Sequence, residues 1–189
     1  LGGERRQSVL PFRLLMECLL PEGFAFGQVK KDRLPEVLAL ENASFSTPWK
    51  EESFLFALEH PELFSFPCIL REGRIVAYAL VFCLFEEGEL QNIAVSPSCR
   101  RKGLGRALLR YCIGLAFEKG VQRLLLEVRA GNSAAKSLYE TEGFVSYAFR
   151  KNYYRNPTED AILMEKGQDT PPEATEKRAA KPLEKEPIC

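Results

Sequence analysis

The stretch with the most legible chemistry is Arg100-Arg101-Lys102-Gly103-Leu104-Gly105-Arg106. It follows Ile93-Ala94-Val95, which reads as a strand, and a helix begins inside it. The first turn of a helix leaves backbone N–H groups unpaired at the positive end of its dipole. Glycines there let an oxyanion come close, and Arg100, Arg101, Lys102 and Arg106 add local charge. This combination predicts a cradle for a diphosphate. The alternative is a solvated basic surface on a helix that Gly-Leu-Gly merely opens. A Walker loop is excluded, because no Gly-Lys-Ser/Thr follows.

The rest of the chain offers little competing chemistry. Lys plus Arg (26) balances Asp plus Glu (26), so a charged ligand must be caught locally rather than by a global field, and a nucleic-acid partner is not expected. The six cysteines include no pair at zinc-ligand spacing, so no metal is expected. Cys68, Cys83 and Cys112 lie in apolar stretches and read as small buried hydrophobes, reduced as in a cytoplasmic protein. His60, before Pro61, reads as a surface residue. The longest apolar run, Ile75 to Phe85, is 11 residues. That is well short of the roughly 20 that cross a bilayer, and no membrane partner is expected.

With 189 residues, 46% of them hydrophobic, the chain has enough apolar material for one full core. Three parts are expected: an N-terminal extension (1–25) with little order, a compact domain (26–166), and a disordered tail (167–189) in which prolines alternate with charges and no aromatic residue occurs. Within the domain, Asp32 is placed to cap a helix carrying Leu34, Val37 and Leu38, and a second helix carries Phe54, Leu55 and Leu58. Strands are predicted over Phe66 to Arg71 and Arg74 to Phe85, joined by a tight turn at Glu72-Gly73, and then over Glu89 to Val95. A helix from Leu104 stops at Gly120, a buried strand covers Leu124 to Ala130, and Asn132 or Ser133 caps a further helix. Phe144 to Tyr154 and Asp160 to Met164 form a final strand pair. This order describes an α+β fold with a mixed, mostly antiparallel twisted sheet.

The ordered set Asn92-Ile-Ala-Val95, Arg101-x-Gly-Leu-Gly-Arg106, Leu126-Glu-Val-Arg-Ala130, Asn132, Leu138-Tyr139-Glu140, Gly143-Phe144, Asn152-Tyr-Tyr154 and Glu159-Asp-Ala-Ile162 resembles the GNAT acyltransferase superfamily. The resemblance is nearest to the ribosomal-protein-alanine N-acetyltransferases of the RimI type. It covers about three quarters of the chain and includes the acetyl-CoA signature as Arg100-x-x-Gly103-x-Gly105. It implies the GNAT fold, a twisted sheet with helices on both faces. It also implies acetyl-CoA as acyl donor and a protein N-terminus, that of a ribosomal protein, as acceptor, in the cytoplasm. The backbone of Ile93, Ala94 and Val95 then binds the pantetheine arm beside a splayed strand. The diphosphate rests on Arg100, Arg101, Lys102, Gly103, Leu104, Gly105 and Arg106, and Asn132 also touches the donor. Glu127 stands where the family places its general base and Tyr139 where it places its general acid. Trp49, Tyr153 and Tyr154 lie in segments that border the acceptor peptide. Arg100 replaces a frequent glutamine, and Cys99 stands where an aromatic is common; neither removes a required donor.

Elementary chemistry agrees with these roles. Amide formation from a thioester needs a neutral amine, removal of its proton, and a place for charge on the departing sulfur. Glu127 lies between Leu126 and Val128, on the opposite face of its strand; the alternative is an exposed glutamate or a partner to Arg129. A phenol near pKa ~10 cannot fully protonate a thiolate near ~8.5 without an uphill step, so Tyr139 is expected to donate a hydrogen bond or share its proton. A peptide α-amine near pKa ~8 is neutral far more often at pH 7 than a lysine near ~10.4, which favours an N-terminal acceptor. The alternatives are a lysine side chain or small amine as acceptor, or an acyl-CoA-binding module without catalysis.

Overall fold

The computed structural model describes residues 19–168 and the backbone of residues 181 and 182. In chain order it contains β1 (Phe24–Gln28), α1 (Leu34–Ser44), α2 (Glu51–Glu59), β2 (Phe64–Ser65), β3 (Pro67–Arg71), β4 (Arg74–Leu84) and β5 (Glu87–Val95). Then come α3 (Leu104–Glu118), β6 (Arg123–Arg129), α4 (Ser133–Thr141), β7 (Val145–Tyr154), β8 (Glu159–Gly167) and β9 (Lys181–Pro182). The strands form one sheet in the order β1-β3-β4-β5-β6-β8-β7-β9, with β2 also paired to β4. Among the described residues only the pairs β5–β6 and β7–β9 are parallel. This is the mixed, mostly antiparallel α+β architecture expected from the sequence.

Each face of the sheet buries its own core. On one side α3 and α4 bring Leu104, Leu108, Cys112 and Tyr139 against Ala79, Val81, Leu90, Leu124, Leu126 and Met164. On the other, α1 and α2 bring Leu34, Val37, Leu40 and Phe54 against Phe66, Tyr78, Leu80 and Ala94. The alternation of β4 produces this division: Ala77, Ala79 and Val81 face the first core, Tyr78 and Leu80 the second. At roughly 2 kcal/mol for each large apolar side chain withdrawn from water, these two layers dominate the favourable side of folding.

The turn at Glu72-Gly73 is as read from the sequence, with both residues left-handed (φ 50 and 75) and Arg71 paired to Arg74. Asp32 does not cap α1. It lies in a short 3-10 turn, and the helix begins after Arg33 with a proline in its first turn and no side-chain cap. The second hairpin turns earlier than expected, because Phe85 takes a left-handed φ of 53 and lets β5 start at Glu87. Asn132 is the cap of α4, its side chain accepting from the Ala135 amide.

The expected extension lies outside the described residues up to residue 18, while Phe24 and Ala25 belong to β1. Of the expected tail, Gly167 closes β8 and Lys181–Pro182 pair with Ala148 and Phe149 of β7; residues 169–180 and 183–189 lie outside the described residues. Among the described residues no helix is long and apolar enough to cross a membrane.

The feature that positions the site is the joint between β5 and β6. Their parallel register runs from Glu87↔Arg123 to Leu90↔Leu126 and ends there. Just beyond, the ladder between β4 and β5 skips a residue: Val81 pairs with Leu90 and Leu80 with Asn92, so Gln91 is extra. Such a bulge bends and twists its strand, and here it turns Asn92–Val95 away from β6. It also brings Glu89 and Asn92 to the same face, because their partners Phe82 and Leu80 are two apart on β4.

Candidate active site

The chain leaves β5 through a 3-10 turn at Pro97–Cys99 and enters α3 at Leu104. Gly103, the residue before the helix, holds φ 79, and Arg101 two residues earlier is also left-handed at φ 64. A non-glycine residue in that region costs on the order of 1 kcal/mol, so the loop shape is held against a backbone preference. A Cβ added at Gly103 would meet nothing within 4 Å, so the space over the loop is open. The cations divide their work. Arg106 sits 3.3 Å from Glu142, a buried carboxylate that also holds Arg110 at 2.8 Å. Arg100 donates through Nε to the Val95 carbonyl at 3.1 Å, and the Lys102 ammonium lies over the Phe24 ring. Arg101 and Lys102 are exposed at the mouth.

Backbone direction in the parted strand follows from one bond. The Ser96 amide donates to Val76 of β4 at 2.8 Å, so by alternation Ala94 also turns its N–H and C=O toward β4. Ile93 and Val95 therefore turn theirs toward the gap beside β6. Of the three residues expected to hold the donor arm, Ile93 and Val95 turn backbone groups to the gap and Ala94 turns its own to β4. Asn132 uses its side-chain oxygen to cap α4, accepting from the Ala135 amide.

Glu127 lies on the face occupied by Glu89 and Asn92, since Leu125, two residues before it, pairs with Glu89. Its partner is Arg150 of β7, not Arg129, and the Tyr153 phenol is near enough that, after burial, Glu127 raises its pKa. Arg129 instead binds Glu159 at 3.3 Å and the Ser46, Arg155 and Pro157 oxygens, with its guanidinium 4.3 Å over the Tyr154 ring. Glu89 is a site residue that the sequence reading missed. Its carboxyl is raised above the ordinary range, first by burial and then by the charge of Glu127. The polar residues Glu87, Glu89 and Gln91 at alternate positions were the available signal, but the bulge that directs them is invisible in sequence. A cleft of about 700 Å³ opens beside Glu89, lined by Phe82, Leu84, Phe85, Gly88 and Leu125, at the end of β5 away from the cradle.

Tyr139 approaches from the other face, packed edge-on against Phe144, and burial pushes its phenol well above the usual range. Tyr154 is pushed up to about 12, by burial and then by the Glu127 charge. Tyr153 is exposed and stands edge-to-face with Tyr154. Trp49 is half-buried with its ring against Phe54, so it belongs as much to the α1–α2 core as to a groove. The loop bearing it reaches the β7–β8 hairpin, where Thr47 donates to the Arg155 carbonyl.

A family model described as the acetyltransferase (GNAT) family matches residues 34–144. The chain belongs to the GNAT acetyltransferase family. An Escherichia coli [ribosomal protein bS18]-alanine N-acetyltransferase is 41% identical over 135 residues, which span 69% of this chain and 88% of that protein. A putative enzyme of the same name from Bacillus subtilis is 32% identical over 140 residues, 74% of this chain and 93% of its own. The crystal structure of the ribosomal-protein-S18-alanine N-acetyltransferase from Escherichia coli superposes with a TM-score of 0.71 at 36% identity, covering 76% of this chain and 93% of that one.

As a GNAT enzyme the chain uses acetyl-CoA as its acyl donor, and its residues fit that molecule. The amides at the start of α3, with the open space over Gly103, suit a diphosphate. The edge of Ile93 and Val95, which has no strand beside it and whose Val95 carbonyl accepts from Arg100, suits the amides of a pantetheine arm, which could lie along it as a strand would. A thioester carried along that edge would come to the gap, where the Glu89 and Glu127 carboxylates stand on one face and the buried Tyr139 phenol on the other. Among the described residues no three His, Cys, Asp or Glu side chains gather as metal ligands.

Proposed function

We propose that this chain acetylates the α-amine of an N-terminal alanine on a ribosomal protein, in the cytoplasm, by direct attack of the amine on acetyl-CoA. The observation that carries the reading is Glu127, held by Arg150 on the face beside the β5–β6 gap, in a chain similar along most of its length to enzymes named for that reaction. The amine nitrogen forms its bond to the thioester carbon, the carbon–sulfur bond breaks, and sulfur leaves with the electron pair. Glu127 receives the amine proton, directly or through one water. Tyr139, whose burial makes it hold its proton tightly, donates a hydrogen bond to the departing thiolate rather than giving the proton up. The hairpin carrying Tyr153 and Tyr154 and the loop carrying Trp49 form the two banks between which the acceptor chain enters.

The test is intact mass spectrometry of an alanine-initiated peptide and of an N-terminally blocked peptide with an internal lysine, each incubated with acetyl-CoA. One acetyl group is expected on the first peptide only, and Glu127→Gln is expected to slow that reaction about a hundredfold or more. Acetyl gain confined to the lysine peptide would overturn the acceptor assignment. An unchanged rate in the variant would remove Glu127 from the mechanism.

A further inference from the structure

The wholly buried carboxylate of Glu41 takes no part in the chemistry above, yet it joins three elements that frame the site. It stands in the last turn of α1. Its Oε1 accepts from the Trp49 amide at 2.8 Å and its Oε2 from the Tyr78 hydroxyl, while the Asn92 side-chain amide lies 3.2 Å from both oxygens. Tyr78 is fully buried and Asn92 nearly so. A carboxylate in such a place is expensive to bury, and polar donors on several sides make it tolerable. A leucine at the same point of α1 would serve packing alone without that cost.

The three partners do not form a random set. Asn92 is the first residue of β5 after the bulge, where the strand has just left β6. Tyr78 lies on β4 beneath it, paired to Ala94. Trp49 ends the loop whose other members touch the far bank: Thr47 binds the Arg155 carbonyl, and Ser46 receives Arg129. One carboxylate therefore fixes the parted strand and the Trp49 loop to each other from below. We infer that Glu41 is a positioning residue that sets the width of the acceptor channel by tying the Trp49 loop to Asn92 at the point where β5 and β6 separate. It acts through Trp49 and Asn92 and touches neither substrate. The inference rests on the acceptor path given under Proposed function.

Glu41→Gln sets an amide NH2 against donors, and Tyr78→Phe removes one donor while keeping the ring. Trp49 is the only tryptophan of the chain, so its emission reads the tether directly. In both variants Trp49 emission should shift red and become more accessible to acrylamide. KM for the alanine-initiated peptide should rise about tenfold, the scale of a lost hydrogen bond to a charged group. Acetyl-CoA affinity by calorimetry should stay within about twofold, since Glu41 bonds Trp49, Tyr78 and Asn92 and none of the cradle residues Arg100 to Arg106. Tyr78→Phe keeps the test open should Glu41→Gln fail to fold. Unchanged Trp49 emission and peptide KM in a folded variant would overturn the inference, as would a parallel fall in acetyl-CoA affinity, which would make Glu41 a general scaffold residue. If the unsubstituted protein acetylates no peptide, the functional reading fails, while the emission arm still judges the tether alone.

Discussion

Glu89 faces the same side as Glu127 with its carboxyl raised by burial and by that neighbouring charge, so in a window above the ordinary carboxylate range it keeps a proton that the unfolded chain releases. A group of this kind favours the folded state at low pH and loses that advantage as pH rises through its folded value. Glu89→Gln, neutral at every pH, is therefore expected to melt higher than the unsubstituted protein at pH 7, with the difference closing as pH falls through the ordinary value of 4.5. The same variant should acetylate peptide more slowly, because a poorly solvated carboxylate beside the proposed base, Glu127, helps attract the incoming ammonium group. Melting curves at several pH values and steady-state rates check the two halves separately, and a variant that is less stable at neutral pH would contradict the assignment. The resemblance nominates Glu127, and alternation along Leu126-Glu127-Val128 fixes its face. The sequence could not nominate Arg150, which comes from a strand more than twenty residues away, as the partner of Glu127. Nor could it single out Glu41, which in sequence is one more polar residue on an amphipathic helix.

The strand-to-helix crossing around Gly103 was readable because its signals are local: a strand end, a basic run and two glycines. What the structure adds is that the two glycines serve different needs. Gly103 is left-handed, so any side chain there strains the backbone by about 1 kcal/mol whether or not a ligand is present. Gly105 sits in the helix, and an added methyl would make ordinary contacts with Val95 at 3.7 Å and Leu138 at 3.8 Å. Gly103→Ala should thus lower both stability and acetyl-CoA affinity, whereas Gly105→Ala should leave stability unchanged or slightly higher. Chemical denaturation and calorimetry on both variants separate the two effects, and equal stability losses would show that the distinction is misplaced. The elements the sequence reading missed share a physical cause. Strand β1 is five residues long with a glycine at its fourth position, too short for alternation to be read, and β2 is shorter still. The bulge at Gln91 depends on how β4 is paired, which no local pattern encodes.

At the scale of the whole molecule, the sheet's mixed character and the separation of its two cores followed from element order and from alternation within β4. The parting of β5 from β6 did not, although the resemblance implied it. Four residue pairs, Glu87↔Arg123 to Leu90↔Leu126, join the half of the sheet holding β1 to β5 with the half holding β6 to β9. Beyond them the halves diverge like the jaws of a clothes-peg, and a molecule laid between them replaces the missing rungs of the ladder. In deuterated water the amide hydrogens of Ile93 and Val95 should exchange rapidly in the free protein and slowly once acetyl-CoA is added, with those of Ala94 slow throughout. On that outcome the acyl donor serves as a temporary strand of the enzyme's own sheet, and each turnover that releases it leaves the sheet's two halves sharing backbone rungs at those four pairs alone.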